Sequence, residues 1–388
     1  MGVSGGIAAY KACTVARRLT ELGAAVDVVL TASAEEFIRP LTFEALTGRS
    51  VRTSLWTPGT ALDHIHSARE AQAVVLAPAT ANLLARAAQG MADDFLTALL
   101  LATRAPVVSA PAMNDRMFSH PATTANLECL KARGWTIVGP AVGPLAEGPS
   151  DAPGRMAEPE EIVAAAERVI RGADSKLRGR SVVITAGPTR EGLDPVRVIS
   201  NRSSGRMGYA VAAAAHARGA DVTLISGPTA LDAPAGVDVI RVESTEDMCK
   251  GVSVASATAA VLIMAAAPAD FRPAHYNDAK TSRSDDVPPL ALVSTADILE
   301  VTRERRSTDC IAVGFALETS DDVARAREKL RRKGLHFIVL NRAGEDGAGF
   351  ETSTNRVTLV DANGACELPM MSKRDVAERI LDATEALM

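Results

Sequence analysis

Three glycines, Gly2, Gly5 and Gly6, stand in MGVSGGIAAYK directly ahead of an Ala-rich stretch with helical spacing. A glycine turn that opens a helix presents backbone N–H groups and the positive end of the helix dipole, which suits a phosphate. The spacing is GVSGG and not G-x-G-x-x-G, so the dinucleotide fingerprint is absent and a simple tight turn explains the glycines as well. Other polar groups directly follow apolar runs of strand type: Thr31 after VVL, Thr80 after VLAPA, and PAMND (111–115) after VVSA. In an open parallel sheet those positions lie at the carboxyl ends of strands, where ligands bind. His64 and His66 in DHIHSARE add two imidazoles. Residues at i and i+2 do not share a helix face, which argues against a metal pair and leaves one base or two surface histidines.

The second half carries the same kind of signal. VVITAGPT (182–189) is a strand that breaks into a turn, and SSGRMG leads into a helix whose N-terminus can face an anion. Lys329 and Lys333 are spaced i, i+4 and share one face of a helix over 321–334. KLRRKG is either a solvated C-terminus that complements the dipole or a grip for phosphates.

The elements that must position these groups alternate. A helix over 7–22 precedes a buried strand at VDVVL (26–30) and a helix over 34–46. Strands follow at 73–78, 106–111 and 136–139, with helical stretches from Thr80 to about Thr103, near 121–133 and over 158–171. Between them, GPAVGPLAEGPSDAPGRMAEP is the kind of Gly/Pro-dense segment that forms a functional lid or a disordered tip. The polar run RGADSKLRGR reads as a linker, and from Ser181 the alternation restarts: strands at 182–186, 221–226, 237–242, 259–267, 310–317 and 336–341, and helices over 205–218 and 321–334. Such alternation predicts doubly wound parallel sheets.

Composition agrees. At 388 residues two domains are the natural expectation, and 47% hydrophobic with 3% aromatic residues is the palette of Ala/Val/Leu/Ile cores. A net charge of −5 gives no general attraction to nucleic acid or anionic membranes. No apolar run reaches the roughly 20 residues of a membrane span. Five scattered cysteines without C-x-x-C exclude a cysteine zinc site and suit a reducing cytoplasm.

GVSGGIAAYK, FIRPLTFEALTG, the HI at 64–65, APATANLLAR, GMADD, PAMNDRM and GRMAEPEEI, in that order, resemble the flavin-dependent cysteine decarboxylases, phosphopantothenoylcysteine decarboxylase above all. The resemblance implies that Ser4, Gly5, Gly6, Thr31 and Thr80 contact FMN, that His64 is the catalytic histidine, and that Asn114 holds the substrate carboxylate. Arg155 and Met156 would belong to the substrate flap. In that chemistry, oxidation at the C–S bond supplies the electron sink that lets CO2 leave, and a proton donor completes the re-reduction. The family's flap carries a cysteine as that donor. Here the flap reads LAEGPSDAPGRM, with Glu147 in the cysteine's place and a turn one residue longer. Met1 falls where the family has completed most of its first strand, which places the start of that strand upstream.

ITAGPTREGLDPVRVISNRSSGRMGYAVAAAA, AAAPADFRP, STADIL, VGFALET and KLRRKGLHFIVLN resemble the phosphopantothenate–cysteine ligases. GPTRE and DPVR would form a long loop over the sheet. The resemblance implies that Asn201 stabilises the acyl-nucleotide, that Lys280, Lys329 and Lys333 serve the triphosphate of CTP, and that Mg2+ neutralises it. Asp270, Ala296, Asp297, Ile298, Leu299 and Phe315 would line the nucleotide pocket, with Met264, Ala265 and Ala266 beneath.

Sequence therefore predicts an α/β protein of two Rossmann-like domains with mainly parallel sheets, the first flavodoxin-like: 1–172, a linker at 173–180, and 181–388. It predicts two consecutive steps of coenzyme A synthesis, ligation and then decarboxylation, acting on phosphopantothenate, cysteine and CTP. Cytoplasmic homo-oligomers are implied, trimers of the first domain and dimers of the second, without nucleic acid or membrane partners. A second reading keeps the ligase and makes the first domain a flavin-binding or structural assembly module.

Overall fold

The computed structural model describes residues 1–280, 289–318, 323–342, 349 and 352–388. Its contacts divide the chain into two compact units, Met1–Arg171 and Gly172–Met388.

The first unit is built on a five-stranded parallel sheet in the spatial order Val29–Leu30, Gly2–Val3, Val74–Ala79, Val107–Pro111, Thr136–Ile137. Val74–Ala79 and Val107–Pro111 are buried along their whole length, as strands covered on both faces must be. One cover is the helix Ala9–Glu21, which buries Ala9, Ala12, Val15, Ala16 and Leu19, a single stripe at helical spacing. The chain reverses direction across the sheet at Gly2–Val3, whose neighbours are the second and third strands in chain order. Loops leaving adjacent strands there part to opposite sides and open a crevice.

Some boundaries differ from expectation. Val26 and Val28 are buried, but sheet pairing begins at Val29, opposite Gly2. The helix expected over 34–46 is two, Ala32–Glu35 and Pro40–Thr47, because proline disfavours helical backbone in the residue before it and is well placed at a helix start. The Gly/Pro-dense segment is not without structure: Ala141–Val142 pairs antiparallel with Pro153–Arg155.

The second unit has an eight-stranded sheet in the order Asp238–Arg241, Asp221–Ser226, Ser181–Ala186, Val261–Met264, Ile311–Glu318, Phe337–Arg342, Val357–Asp361, Ala365–Glu367. The first six strands are parallel and the last two add an antiparallel edge. The strand order reverses between Ser181–Ala186 and Val261–Met264. GPTRE and DPVR do not form a plain loop; Arg190–Gly192 and Val198–Ser200 pair as antiparallel strands. The expected linker is partly core, since Leu177 is 0% exposed within the second unit's hydrophobic cluster and Lys176 Nζ donates to Glu385 O at 2.9 Å.

Candidate functional sites

A cavity of about 670 Å³ occupies the first unit's switch point, with Gly5, Gly6, Thr80, Asn114, Glu147 and Arg155 on its walls. Ser4, 2% exposed, ties two loops together there: its Oγ donates to Pro78 O at 2.8 Å and accepts from Thr80 N at 3.0 Å. Thr80 caps the helix Ala81–Gln89, its Oγ1 accepting from Leu83 N at 3.3 Å. At Gly5 a Cβ would lie 2.5 Å from Ser33, so only glycine fits. Thr31 caps Ala32–Glu35 and is buried away from the wall, where its neighbour Ser33 stands instead.

Asn114 caps the helix Asp115–Ser119, its Oδ1 accepting from Arg116 N at 2.8 Å and Met117 N at 3.3 Å. Its Nδ2 donates to Glu147 Oε1, joining this helix start to the ribbon segment. Gly154 makes the close approach possible: a Cβ there would sit 2.6 Å from Met113 O, and Met113 N donates to Gly154 O at 3.0 Å. Arg155 binds Glu158 at 2.6 Å, and Lys11, on the same wall, binds Glu158 at 3.1 Å. Met156 is 1% exposed and closes the cavity from the core side.

His64 is not brought to this wall. It lies on the helix Asp63–Glu70, its ring set edge-on to Phe95 at 6.2 Å, with Nδ1 buried and lacking a hydrogen-bond partner. His66 is exposed. Lys11 escaped the sequence reading; its signal is a lysine in the first turn of a helix whose buried residues are alanine, valine and leucine.

A cavity of about 500 Å³ occupies the second unit's switch point, and Asn201, Ala265, Ala266, Asp270, Phe315 and Lys329 line it. Asn201 Nδ2 donates to Ala267 O at 3.1 Å and Pro268 O at 3.0 Å, which turns its carboxamide across the cavity floor. Ala266 N donates to Thr185 Oγ1 at 3.1 Å, and the same hydroxyl rests 3.6 Å from Met264 Sδ beneath. Lys329 Nζ donates to Phe315 O at 3.3 Å.

Other expected residues stand elsewhere. Lys333, 9% exposed, is bound to Asp297 at 2.6 Å. Against the effect of burial, the Lys333 ammonium holds the Asp297 carboxyl below its ordinary range, and Asp297 caps Ile298–Val301. This pair is structural and Lys333 is not on the cavity wall, unlike Lys329 one helical turn away. Ile298 and Leu299 are core residues, and Ala296 faces a different cavity, of about 440 Å³. Lys280 is exposed, next to residues outside the described set, and is not among the described lining residues. Arg202, Arg206 and Lys373, all on the main cavity, were missed.

Two switch-point cavities on separate α/β units, one around a glycine turn and one rich in cations, define a two-site enzyme that handles anionic ligands. The flavoprotein family matches residues 1–171, and the DNA/pantothenate metabolism flavoprotein C-terminal domain matches residues 177–387. The chain is 48% identical over 398 residues, 99% of itself and 95% of the relative, to the coenzyme A biosynthesis bifunctional protein CoaBC of Mycobacterium bovis. It is 46% identical over 385 residues, 98% of itself and 96% of the relative, to the protein of that name from Vibrio cholerae. The solved C-terminal domain of a CoaBC protein is 39% identical, with a TM-score of 0.47 over 54% of this chain and 96% of that one. The chain belongs to the CoaBC family of bifunctional coenzyme A biosynthesis proteins, a flavoprotein decarboxylase joined to a ligase. The first unit takes a flavin. Its residues fit one: the side-chain-free turn at Gly5 and Gly6 and the capped loop at Thr80 line the cavity, and the close packing of Gly5 on Ser33 holds that turn in place. Among the described residues no helix is long and apolar enough to cross a membrane.

Proposed function

We propose that the second unit joins phosphopantothenate to L-cysteine through an acyl-cytidylate made from CTP, and that the first unit, with FMN, converts the product to phosphopantetheine. The observation that carries the first-unit chemistry is the meeting of Asn114 with Glu147 on the wall opposite the glycine turn. FMN, held at Gly5, Gly6 and Thr80 on loops that Ser4 and Thr31 fix from behind, would supply the two-electron oxidation next to sulfur that makes loss of CO2 feasible. Asn114 has Oδ1 engaged by two backbone N–H groups, which aims Nδ2 at a carboxylate. In the complex that carboxylate is the substrate's, displacing Glu147. Glu147, on the flap with Arg155 and Met156, would serve as the proton donor of the final re-reduction. His64 is the catalytic histidine of this proposal, and a trimer would be the assembly that brings it to a cavity.

In the second unit, Asn201 stabilises the acyl-nucleotide, and Lys329 and Lys280 meet the triphosphate. Asp270, Phe315, Ala265 and Ala266 surround the nucleotide over Met264. Ala296 to Leu299 act through the wall that Asp297 and Lys333 hold in place. Mg2+ enters as counter-ion of the phosphates; among the described residues no group of three or more His, Cys, Asp or Glu is gathered to hold a metal. The ligase units pair as dimers, in the cytoplasm.

The test is mass spectrometry of products from purified protein given phosphopantothenate, cysteine, CTP, Mg2+ and FMN. Phosphopantetheine with CMP and pyrophosphate is expected. Phosphopantothenoylcysteine that accumulates unchanged would reduce the first unit to a flavin-binding assembly module, and unconsumed CTP would sink the ligase assignment.

A further inference from the structure

The second unit buries a cluster of hydroxyls that the ligase chemistry does not use. Thr189 is 0% exposed and Thr245 2%, and both bond to Ala269, itself 5% exposed. Ala269 N donates to Thr189 Oγ1 at 2.9 Å, and Ala269 O accepts from Thr245 Oγ1 at 3.3 Å and from Thr295 Oγ1 at 2.6 Å. The hydroxyls of Thr189 and Thr245 are 2.8 Å apart. Thr245 gives its proton to a carbonyl, so Thr189 is the donor between them, and the bonds run from Ala269 N through Thr189 and Thr245 back to Ala269 O. A closed ring of this kind in a buried place polarises its members and fixes one geometry.

What the ring holds is the segment 267–270. Ala267, Pro268 and Asp270 line the main cavity, and Ala267 O and Pro268 O are the acceptors that turn the Asn201 carboxamide. Thr295 N adds a bond to Asp270 O at 3.0 Å. Thr189 also holds the side that carries Asn201. Its carbonyl accepts from Ser200 Oγ at 2.8 Å, and Ser200 ends the strand Val198–Ser200 directly before Asn201. Glu191, 6% exposed, accepts from Thr245 N at 2.8 Å, which pins the ring to the antiparallel pair that leads there. The hydroxyl of Thr189 thus fixes the residue before Asp270, and its carbonyl fixes the residue before Asn201. Thr189 itself is not on the cavity wall.

We infer that Thr189 is a positioning residue of the ligase: with Thr245 and Thr295 it sets Asn201, which serves the acyl-nucleotide, against Asp270 on the nucleotide side. The inference rests on the ligase activity proposed above. Misplacing such a pair by about 1 Å costs on the order of 100-fold in rate, and a single buried hydroxyl receives Ala269 N.

The experiment compares the full-length wild type with Thr189→Val, Thr189→Ser and Thr295→Val. It records single-turnover release of pyrophosphate from CTP and phosphopantothenate without cysteine, the KM for cysteine in the complete reaction, and the melting temperature. Valine keeps the shape of threonine but leaves Ala269 N without its acceptor. In Thr189→Val pyrophosphate release should slow about 10- to 100-fold while the KM for cysteine stays within about twofold of wild type. Thr189→Ser, which keeps the hydroxyl, should recover most of that rate. Thr295 is half-buried and supplies one of two bonds to Ala269 O, so Thr295→Val tests the network even where Thr189→Val fails to fold. Its pyrophosphate release should slow about 3- to 10-fold at a melting temperature near that of wild type. Wild-type release in folded Thr189→Val, or in Thr295→Val where Thr189→Val does not fold, would overturn the positioning role and leave the ligase standing. Equal losses in Thr189→Ser and Thr189→Val would do the same. Failure of the wild type to release pyrophosphate would overturn both.

Discussion

Asn114 Nδ2 donates to Glu147 Oε1, so the residue expected to hold a substrate carboxylate already holds a carboxylate of the chain's own flap. On the proposed reading, the flap would thereby hold its acid next to the group that receives the substrate carboxylate.

Glu147→Gln keeps the size and the acceptor for Asn114 but removes the acid. Loss of CO2 should continue, while the final reduction slows by about 10²- to 10³-fold, the usual contribution of a positioned proton donor. Mass spectrometry should then show a decarboxylated product two hydrogens short. Full reduction at the wild-type rate would remove Glu147 from the mechanism.

Gly5→Ala places a methyl group 2.5 Å from the Ser33 backbone, so the turn that lines the cavity must shift. Overpacking of this kind costs about 1–3 kcal/mol. Purified Gly5→Ala should carry less flavin, seen as lower visible absorbance per protein, while ligase activity stays within about twofold of wild type. Full flavin occupancy would place the cofactor away from this turn.

Lys329 and Lys333 should part company. Lys329→Met should raise the KM for CTP about tenfold with little change in melting temperature. Lys333→Met should instead lower the stability of the second unit by about 1–3 kcal/mol, less than for a fully buried pair because Asp297 keeps some contact with water. Asp297 has a depressed folded-state pKa, so its stabilisation is present above its ordinary value and is lost as pH falls through the depressed one. The melting difference between wild type and Lys333→Met should therefore shrink in acid, below about pH 4.

The Lys373 ammonium, with its pKa lowered to about 8 by burial and then by the nearby Arg206 guanidinium, loses its proton within an accessible range. Deprotonation removes positive charge from the cavity that Lys373 lines, so kcat/KM for phosphopantothenate should fall as pH rises through about 8. In Lys373→Arg, whose guanidinium stays charged, that limb should move beyond the measurable range. The same limb persisting in Lys373→Arg would assign it to another group.

Much of both sites is written locally. Ser4 and Thr80 directly follow strands, and Gly5, Gly6 and Asn114 come within three residues of a strand end, so the alternation of elements already puts them at the ligand side of a parallel sheet; their individual roles came from the resemblance. Ala265 and Ala266 likewise directly follow the parallel strand Val261–Met264, whereas Asn201 follows an antiparallel ribbon and reaches the cavity only through the fold. The linker and the flap were less legible, since Leu177 becomes core only when a second-unit surface exists to receive it, and Gly154 pairs with Met113 only once the ribbon folds back.

Sequence by itself determined two α/β units, their order, and the glycine turn and strand-end residues, because periodicity and turn chemistry act over a few residues. Tertiary structure alone decided which side chains share a cavity. The spacing of Lys329 and Lys333 puts both on one helix face but does not say that the first meets Phe315 at the cavity and the second meets Asp297 below it. Arg206 and Lys373 begin helices far apart in the chain, and only the packing of those helices brings both to one cavity. Charge and burial depend on what lies across the gap, and that partner is supplied by the fold.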